Sequence, residues 1–348
     1  MNPSFFLCIT LFSIHLSCLE KSTNNIDSAT TTVFCHGIID SQKQINNYTG
    51  DGSIIGRSIF GKTFSFDFPD VIPDNSISLN GLLSKISGFI YKIMKKSSGH
   101  QINRDQMFMG QTKDIKCLEE NLINLKNNSL ILYGVSRGAG TIISYLGQTK
   151  KIFNIKAIIL EAPSADMLDG IDNFSSKCGL SLPHSLFRKI FYQYPKNPYT
   201  PIKAIKNIKN KDVPIFITHS AKDAIVNPSQ SWKLYKTFKE NGFKNVYIHE
   251  IKTGQHCLPH LEKSFHEDYC IPIQLFYKKF NLLNNEIMDT FNDVKNIETY
   301  NLQPSSEYAD AKIKQYIDQK DALFLENQFK IIAILIIITA SYIYFLNK

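Results

Sequence analysis

The sequence predicts an α/β protein built on a mostly parallel sheet flanked by helices, followed by one C-terminal transmembrane helix. Three observations carry that expectation. Short apolar, β-branched runs alternate with stretches of helical spacing between Thr31 and Phe280. Neighbouring strand-like runs are not joined by hairpin turns, so the connections must be crossovers, which make parallel neighbours. Finally, Ile331–Leu346 reads IIAILIIITASYIYFL, with no charge between Lys330 and Lys348.

Taken in order, Phe5–Leu16 is an apolar run with the length of an export-signal core, too short to cross a bilayer, and residues 1–20 are read as a signal peptide. Thr31–Cys35 is a β-branched strand ending in His-Gly, and Lys62–Phe68 alternates like a second strand. Asp114–Leu125 has its apolar residues at helical spacing (Ile115, Leu118, Leu122, Leu125), and Ser129–Tyr133 is a compact buried strand. Thr141–Leu146 continues as a helix that Gly147 stops. Ile155–Leu160 and Val213–Thr218 are strands, each followed by polar turn residues. Between them, residues 164–212 break the alternation with Gly, Pro and helix-like pieces, as a cap-like insertion would. Gln230–Lys239 reads as helix, Asn245–Ile251 as strand, and Leu261–Leu283 as a closing helical region that ends the domain begun at residue 30.

Residues 284–329 are polar and charged and suit a stalk. Residues 330–347 are then the membrane helix. Sixteen apolar residues reach roughly 24 Å at 1.5 Å each, extended by Phe329 and the flanking lysines, with Tyr342, Tyr344 and Phe345 where an aromatic belt belongs. A functional N-terminal signal puts the body of the chain outside the cytoplasm; without it the same tail is a tail anchor, with the body facing the cytosol.

Composition narrows the class of partner. Hydrophobic residues make up 43%, charged residues 20% and aromatics 12%, which excludes disorder, collagen and coiled coil for the whole chain. The net charge of +8 comes from lysines spread along the chain, without a basic block, so nucleic acid is not an expected partner. Cys35, Cys117, Cys178, Cys257 and Cys270 are too scattered for a zinc pattern or a dense disulfide scaffold. No metal or cofactor is expected.

Three short segments carry chemistry. Gly134-Val135-Ser136-Arg137-Gly138 lies directly between a strand and a helix. A serine on so sharp a turn has a strained backbone, and its neighbours two residues away on each side must be small. The helix start offers its dipole and the Arg137 N–H to a developing oxyanion. Asp223 follows the Val213–Thr218 strand, in a loop able to present a carboxylate at the carboxyl edge of a parallel sheet. His256 sits in the Gly-rich turn after the last strand; His249 lies within that strand, and His260, one turn on, is the competing residue. The chain order is Ser136, Asp223, His256.

These features resemble the α/β-hydrolase superfamily from about Thr30 to Phe280: His36-Gly37 after an early strand, the GVSRG elbow, the strand-Asp loop with AIVNP after it, and a late Gly-x-His. The resemblance implies an eight-stranded, mostly parallel sheet with a cap over residues 164–212. It also implies an oxyanion hole from the N–H groups of Arg137 and Ile38. Ser220 departs from the family's usual Gly, and Ile38-Ile39-Asp40 is not the glycine-rich loop of lipase-like esterases. The implied activity is a serine hydrolase working through an acyl-enzyme, with a small-molecule or lipid-like acyl ester as first substrate class. A peptide or thioester substrate is the alternative, and a catalytically silent, membrane-tethered binding protein is the alternative from another class.

Overall fold

The computed structural model describes residues 30–37, 40–49, 62–72, 101–102, 110–169, 198–252, 254–257, 266–282 and 300–346, together with 173 and 195. The signal peptide expected over 1–20, most of the cap-like insertion, Ile38 and His260 lie outside the described residues.

Strands β1 (Thr30–Cys35), β2 (Lys62–Ser65), β5 (Ser129–Val135), β6 (Asn154–Glu161), β7 (Ile215–Ser220) and β8 (Val246–Ile251) form one sheet in the order β2-β1-β5-β6-β7-β8. Every neighbouring pair in it is parallel. The two short strands β3 (Val71–Ile72) and β4 (Gln101–Ile102) pair antiparallel in a separate ribbon. The eight-stranded sheet implied by the resemblance is therefore, among the described residues, a six-stranded sheet plus this ribbon.

The central strands β1, β5 and β7 are buried on both faces, which is why β5 and β7 read as largely apolar runs, whereas the edge strand β2 is partly exposed. Along β5, side chains alternate between two cores. Leu130 and Leu132 face helices α1 (Lys113–Asn124), α2 (Arg137–Leu146) and α3 (Ser229–Glu240), whose Leu118, Ile142 and Leu234 are fully buried. Ile131, Tyr133 and Val135 face the opposite layer, where helix α4 (Ile271–Lys279) supplies Ile273, Phe276 and Tyr277. Strand β1 pairs with β2 on one side and β5 on the other, so the chain reverses its direction of growth there. Connections leave opposite faces at such a point, and a crevice opens at the strands' carboxyl ends.

Helix α5 (Ser306–Leu346) corrects one expectation. Residues 284–329 are not a stalk throughout, because 300–317 pack on the domain. Ala309, Ile313 and Tyr316 form an inward stripe at spacings of four and three, joined to the same core as α3. The Ile248 N–H donates to the Leu302 carbonyl (2.8 Å), and the Tyr235 hydroxyl donates to the Pro304 carbonyl (2.7 Å). Lys236 pairs with Asp310 (2.6 Å) and Lys312 with Glu250 (2.8 Å). Beyond this docked stretch the same helix runs on into Ile331–Leu346. It is long and apolar enough to cross a membrane, and none of its most apolar eighteen residues is buried.

Candidate active site

The crevice at the carboxyl edge is built around the turn between β5 and α2. Ser136 occupies it with φ 52° and ψ −112°, a left-handed conformation that costs a non-glycine residue of order 1–3 kcal/mol. The turn is held by the Ser136 N–H donating to the Glu161 carbonyl (2.8 Å). It is also pressed against its surroundings. A Cβ on Gly134 would lie 2.6 Å from the backbone of Ala139, and one on Gly138 would lie 2.1 Å from the Cys35 carbonyl oxygen. Both glycines are thus required by close backbone approach. Gly140 is not, since its Cβ would make only ordinary contacts, with Pro201 Cγ at 3.4 Å and the Ser164 carbonyl oxygen at 3.8 Å.

The structure brings the three sequence-chosen residues together. His256 Nε2 is 3.0 Å from Ser136 Oγ, and His256 Nδ1 is 2.6 Å from Asp223 Oδ2. A carboxylate only accepts, so Nδ1 carries the proton and Nε2 is free to accept from the serine hydroxyl. All three are buried, with exposures of 7% (Ser136), 4% (Asp223) and 8% (His256). Asp223 Oδ1 accepts from the N–H groups of Ile225 (2.7 Å) and Val226 (2.9 Å). Burial alone would raise its carboxyl pKa. The charge of His256 and hydrogen bonds from His219 and His256 outweigh that, holding it well below the ordinary carboxylate range.

His219 was not singled out by sequence reasoning. Its Nε2 lies 2.9 Å from Asp223 Oδ2 and 3.1 Å from the Val226 carbonyl, two acceptors, so it carries a proton. Its Nδ1 takes the Ser231 hydroxyl at 2.6 Å. The only sequence signal was a polar residue closing an apolar strand, PIFITH. His249 is turned elsewhere, with Nε2 against the Asp268 carbonyl (2.5 Å).

Glu161, at the end of β6, was also missed. Its buried carboxylate accepts from the hydroxyls of Tyr48 (2.9 Å), Tyr133 (2.8 Å) and Tyr269 (2.8 Å). Burial raises its pKa, opposed by the three phenols and by His256. A carboxylate ending the run IKAIILE was again the only hint.

Sequence reasoning chose Arg137 for its backbone N–H; the structure shows that its side chain is engaged as well. Its side chain is fully buried, with Nε and Nη2 on Asp114 (2.9 and 2.6 Å), Nη1 on Asp70 (2.9 Å), and its guanidinium 4.6 Å from the Phe68 ring centroid. This clamp fixes the residue whose N–H opens α2. His36 accepts from the Phe68 N–H through Nε2 (3.1 Å), and its Nδ1 donates to the Gly37 carbonyl (2.8 Å). Burial, then Arg137, pushes the His36 pKa down to about 4, so it is neutral at pH 7. The Gly37 N–H is committed to Gln44 Oε1 (2.7 Å). Beside Ser136 a recess is lined by Gly110, Gln111, Gly140, Ser164, Met167 and Pro201. Cys35, Cys117, Cys257 and Cys270 are free thiols, and no metal-binding cluster occurs among the described residues.

A strained serine between strand and helix, in reach of a histidine at a parallel sheet's carboxyl edge, defines the class: a serine hydrolase of the α/β-hydrolase fold. The chain belongs to the prolyl oligopeptidase family, whose sequence profile matches residues 96–269, half of the chain and a span containing Ser136, Asp223 and His256. No curated protein sequence matches it significantly. Solved structures with similar folds include an esterase of Pyrococcus furiosus (18% identity, TM-score 0.47, covering 72% of this chain and 82% of that one). An acylaminoacyl peptidase of Pyrococcus horikoshii is 16% identical (TM-score 0.43, covering 80% and 39%). A monoacylglycerol lipase of Paleococcus ferrophilus is 13% identical (TM-score 0.42, covering 71% and 93%).

Proposed function

We propose that the chain hydrolyses an ester-type acyl bond through an acyl-enzyme on Ser136. The observation that carries the reading is the continuous hydrogen-bonded line from Ser136 Oγ through His256 to Asp223. A serine hydroxyl is a weak nucleophile at neutral pH, so His256 Nε2 takes its proton as Oγ attacks the acyl carbon. Asp223 holds the imidazole with its proton on Nδ1 and stabilises the imidazolium that forms. The N–H groups of Arg137 and Ile38 receive the tetrahedral oxyanion; loss of one such donor costs about 3 kcal/mol of transition-state stabilisation in comparable sites. His256 then returns the proton to the leaving alkoxide, and water, deprotonated by the same imidazole, releases the acyl group. A peptide bond is the second reading, favoured by the family match.

The apolar end of α5 is proposed as a single membrane anchor, with the N-terminal segment as export signal and the hydrolase domain outside the cytoplasm. Turnover of a short p-nitrophenyl ester tests the chemistry. Ser136→Ala should abolish it while leaving the thermal midpoint nearly unchanged, because the hydroxyl removed is hydrogen-bonded to His256 within the site and the methylene that remains keeps its place in the turn. Full turnover in a folded Ser136→Ala variant removes the assignment, and absence of turnover in the parent favours the binding-protein alternative.

A further inference from the structure

Helix α5 has a direction relative to the site, and two independent sets of contacts fix it. Along β8, Gln303 Nε2 donates to the Val246 carbonyl (3.1 Å) at the strand's amino end, while Lys312 meets Glu250 (2.8 Å) at its carboxyl end. Along α3, the order is reversed. Pro304 meets Tyr235, Tyr308 packs on Trp232, and the Tyr316 carbonyl accepts from Asn227, in the loop just after Asp223. The helix therefore climbs from the amino edge of the sheet to its carboxyl edge. It leaves the domain at the edge where Ser136, Asp223 and His256 lie, and continues without interruption into the apolar segment.

From Tyr316 to Lys330 the helix rises roughly 21 Å. Ile332 and Ile334 to Ile338 are then exposed at 52–64%, and the small Ala333 between them is exposed as well. A continuation of this kind fits a lipid bilayer: the run is uncharged and lysine-flanked in sequence, and its described side chains, up to Thr339, are not buried.

We propose that the chain holds its catalytic edge toward the bilayer at a stand-off of about 20 Å. Its substrate is then delivered from the membrane, as an acyl group on a membrane-anchored molecule whose reacting carbonyl stands off the lipid surface. This rests on the anchor and hydrolase readings above. An ester at headgroup level lies below the site's reach, whereas one raised on a spacer of about 20 Å meets it.

The test uses the full chain reconstituted in phosphatidylcholine vesicles carrying an acceptor dye on the headgroups. A donor is clicked onto Ile225→p-azidophenylalanine, beside the site at the carboxyl edge, or onto Asn154→p-azidophenylalanine, at the opposite edge of β6. Energy transfer several-fold stronger from position 225 is expected, because the sheet separates the two by roughly 25 Å. Equal or reversed transfer overturns the orientation, as does failure of the chain to float with vesicles or its recovery as a soluble oligomer. Fluorophosphonate labelling of the same samples reports separately on the serine, so loss of the hydrolase reading is distinguishable from loss of the orientation. In the substrate arm, a vesicle-anchored ester on a 20 Å polyethylene glycol spacer should turn over at least tenfold faster than the same ester at the headgroup. A Gly-Gly-Ser repeat inserted after Leu325 should reduce that preference while leaving a soluble ester unaffected. Equal rates on the two anchored esters overturn the substrate assignment.

Discussion

Replacing Gly138 by alanine adds a single methyl group at the point where α2 comes closest to β1. The new Cβ would sit 2.1 Å from the Cys35 carbonyl oxygen, 2.6 Å from its carbon and 2.8 Å from the His36 oxygen. Normal contact needs more than 3 Å, so α2 and β1 must part by about 1 Å, and neither neighbour is a flexible side-chain end. Overpacking of a core costs about 1–3 kcal/mol, and backbone on both sides puts this substitution at the top of that range. For a domain of this size 3 kcal/mol lowers Tm by about 6–12 °C. The larger Gly138→Val should prevent folding. Gly37→Ala is the control: its Cβ would meet nothing nearer than the Gln44 side chain at 3.7 Å, and Tm should hold within about 2 °C. Thermal unfolding followed by circular dichroism gives both numbers. A Gly138→Ala protein as stable as its parent, with Ser136 still reactive, would refute the close approach on which the elbow depends.

His256→Ala should lower turnover by about three or more orders of magnitude, whereas His260→Ala should change it little; the opposite ranking in steady-state kinetics moves the base to His260. His219→Gln removes the imidazole donor to Asp223 and should reduce kcat roughly tenfold with KM unchanged, so a loss confined to KM contradicts a positioning role. His36 makes stability depend on pH. Its folded pKa of about 4 lies below the ordinary 6.5, so the unfolded chain binds the proton more readily, and stability is full above pH 6.5 and lost as pH falls towards 4. The total is about 3 kcal/mol, and urea titrations of His36→Asn should show that slope removed. An unchanged slope would assign the acid sensitivity to other groups.

The strands were legible because a buried parallel sheet writes itself as uninterrupted β-branched runs. The elbow was legible because it needs small residues at fixed positions around one serine. Boundaries slipped where no side chain marks them: β7 runs from Ile215 to Ser220, two residues later at each end than the apolar run Val213–Thr218. What remained hidden depends on partners distant in sequence. Nothing near Glu161 announces Tyr48, Tyr133 and Tyr269, and nothing near Arg137 announces Asp70 and Asp114. The docked start of α5 was hidden for another reason: Ala309, Ile313 and Tyr316 are a thin stripe on a helix otherwise covered by charge, and composition alone reads such a segment as solvated.

The central claim, that Ser136 is the nucleophile of an acyl hydrolase, is tested most directly by the mass of the intact chain after exposure to a fluorophosphonate. One adduct per chain should form, mapping to the peptide that contains Ser136. It should be absent from Ser136→Ala and strongly slowed in His256→Ala. An adduct on another residue, or equal labelling of the Ser136→Ala chain, would contradict the account.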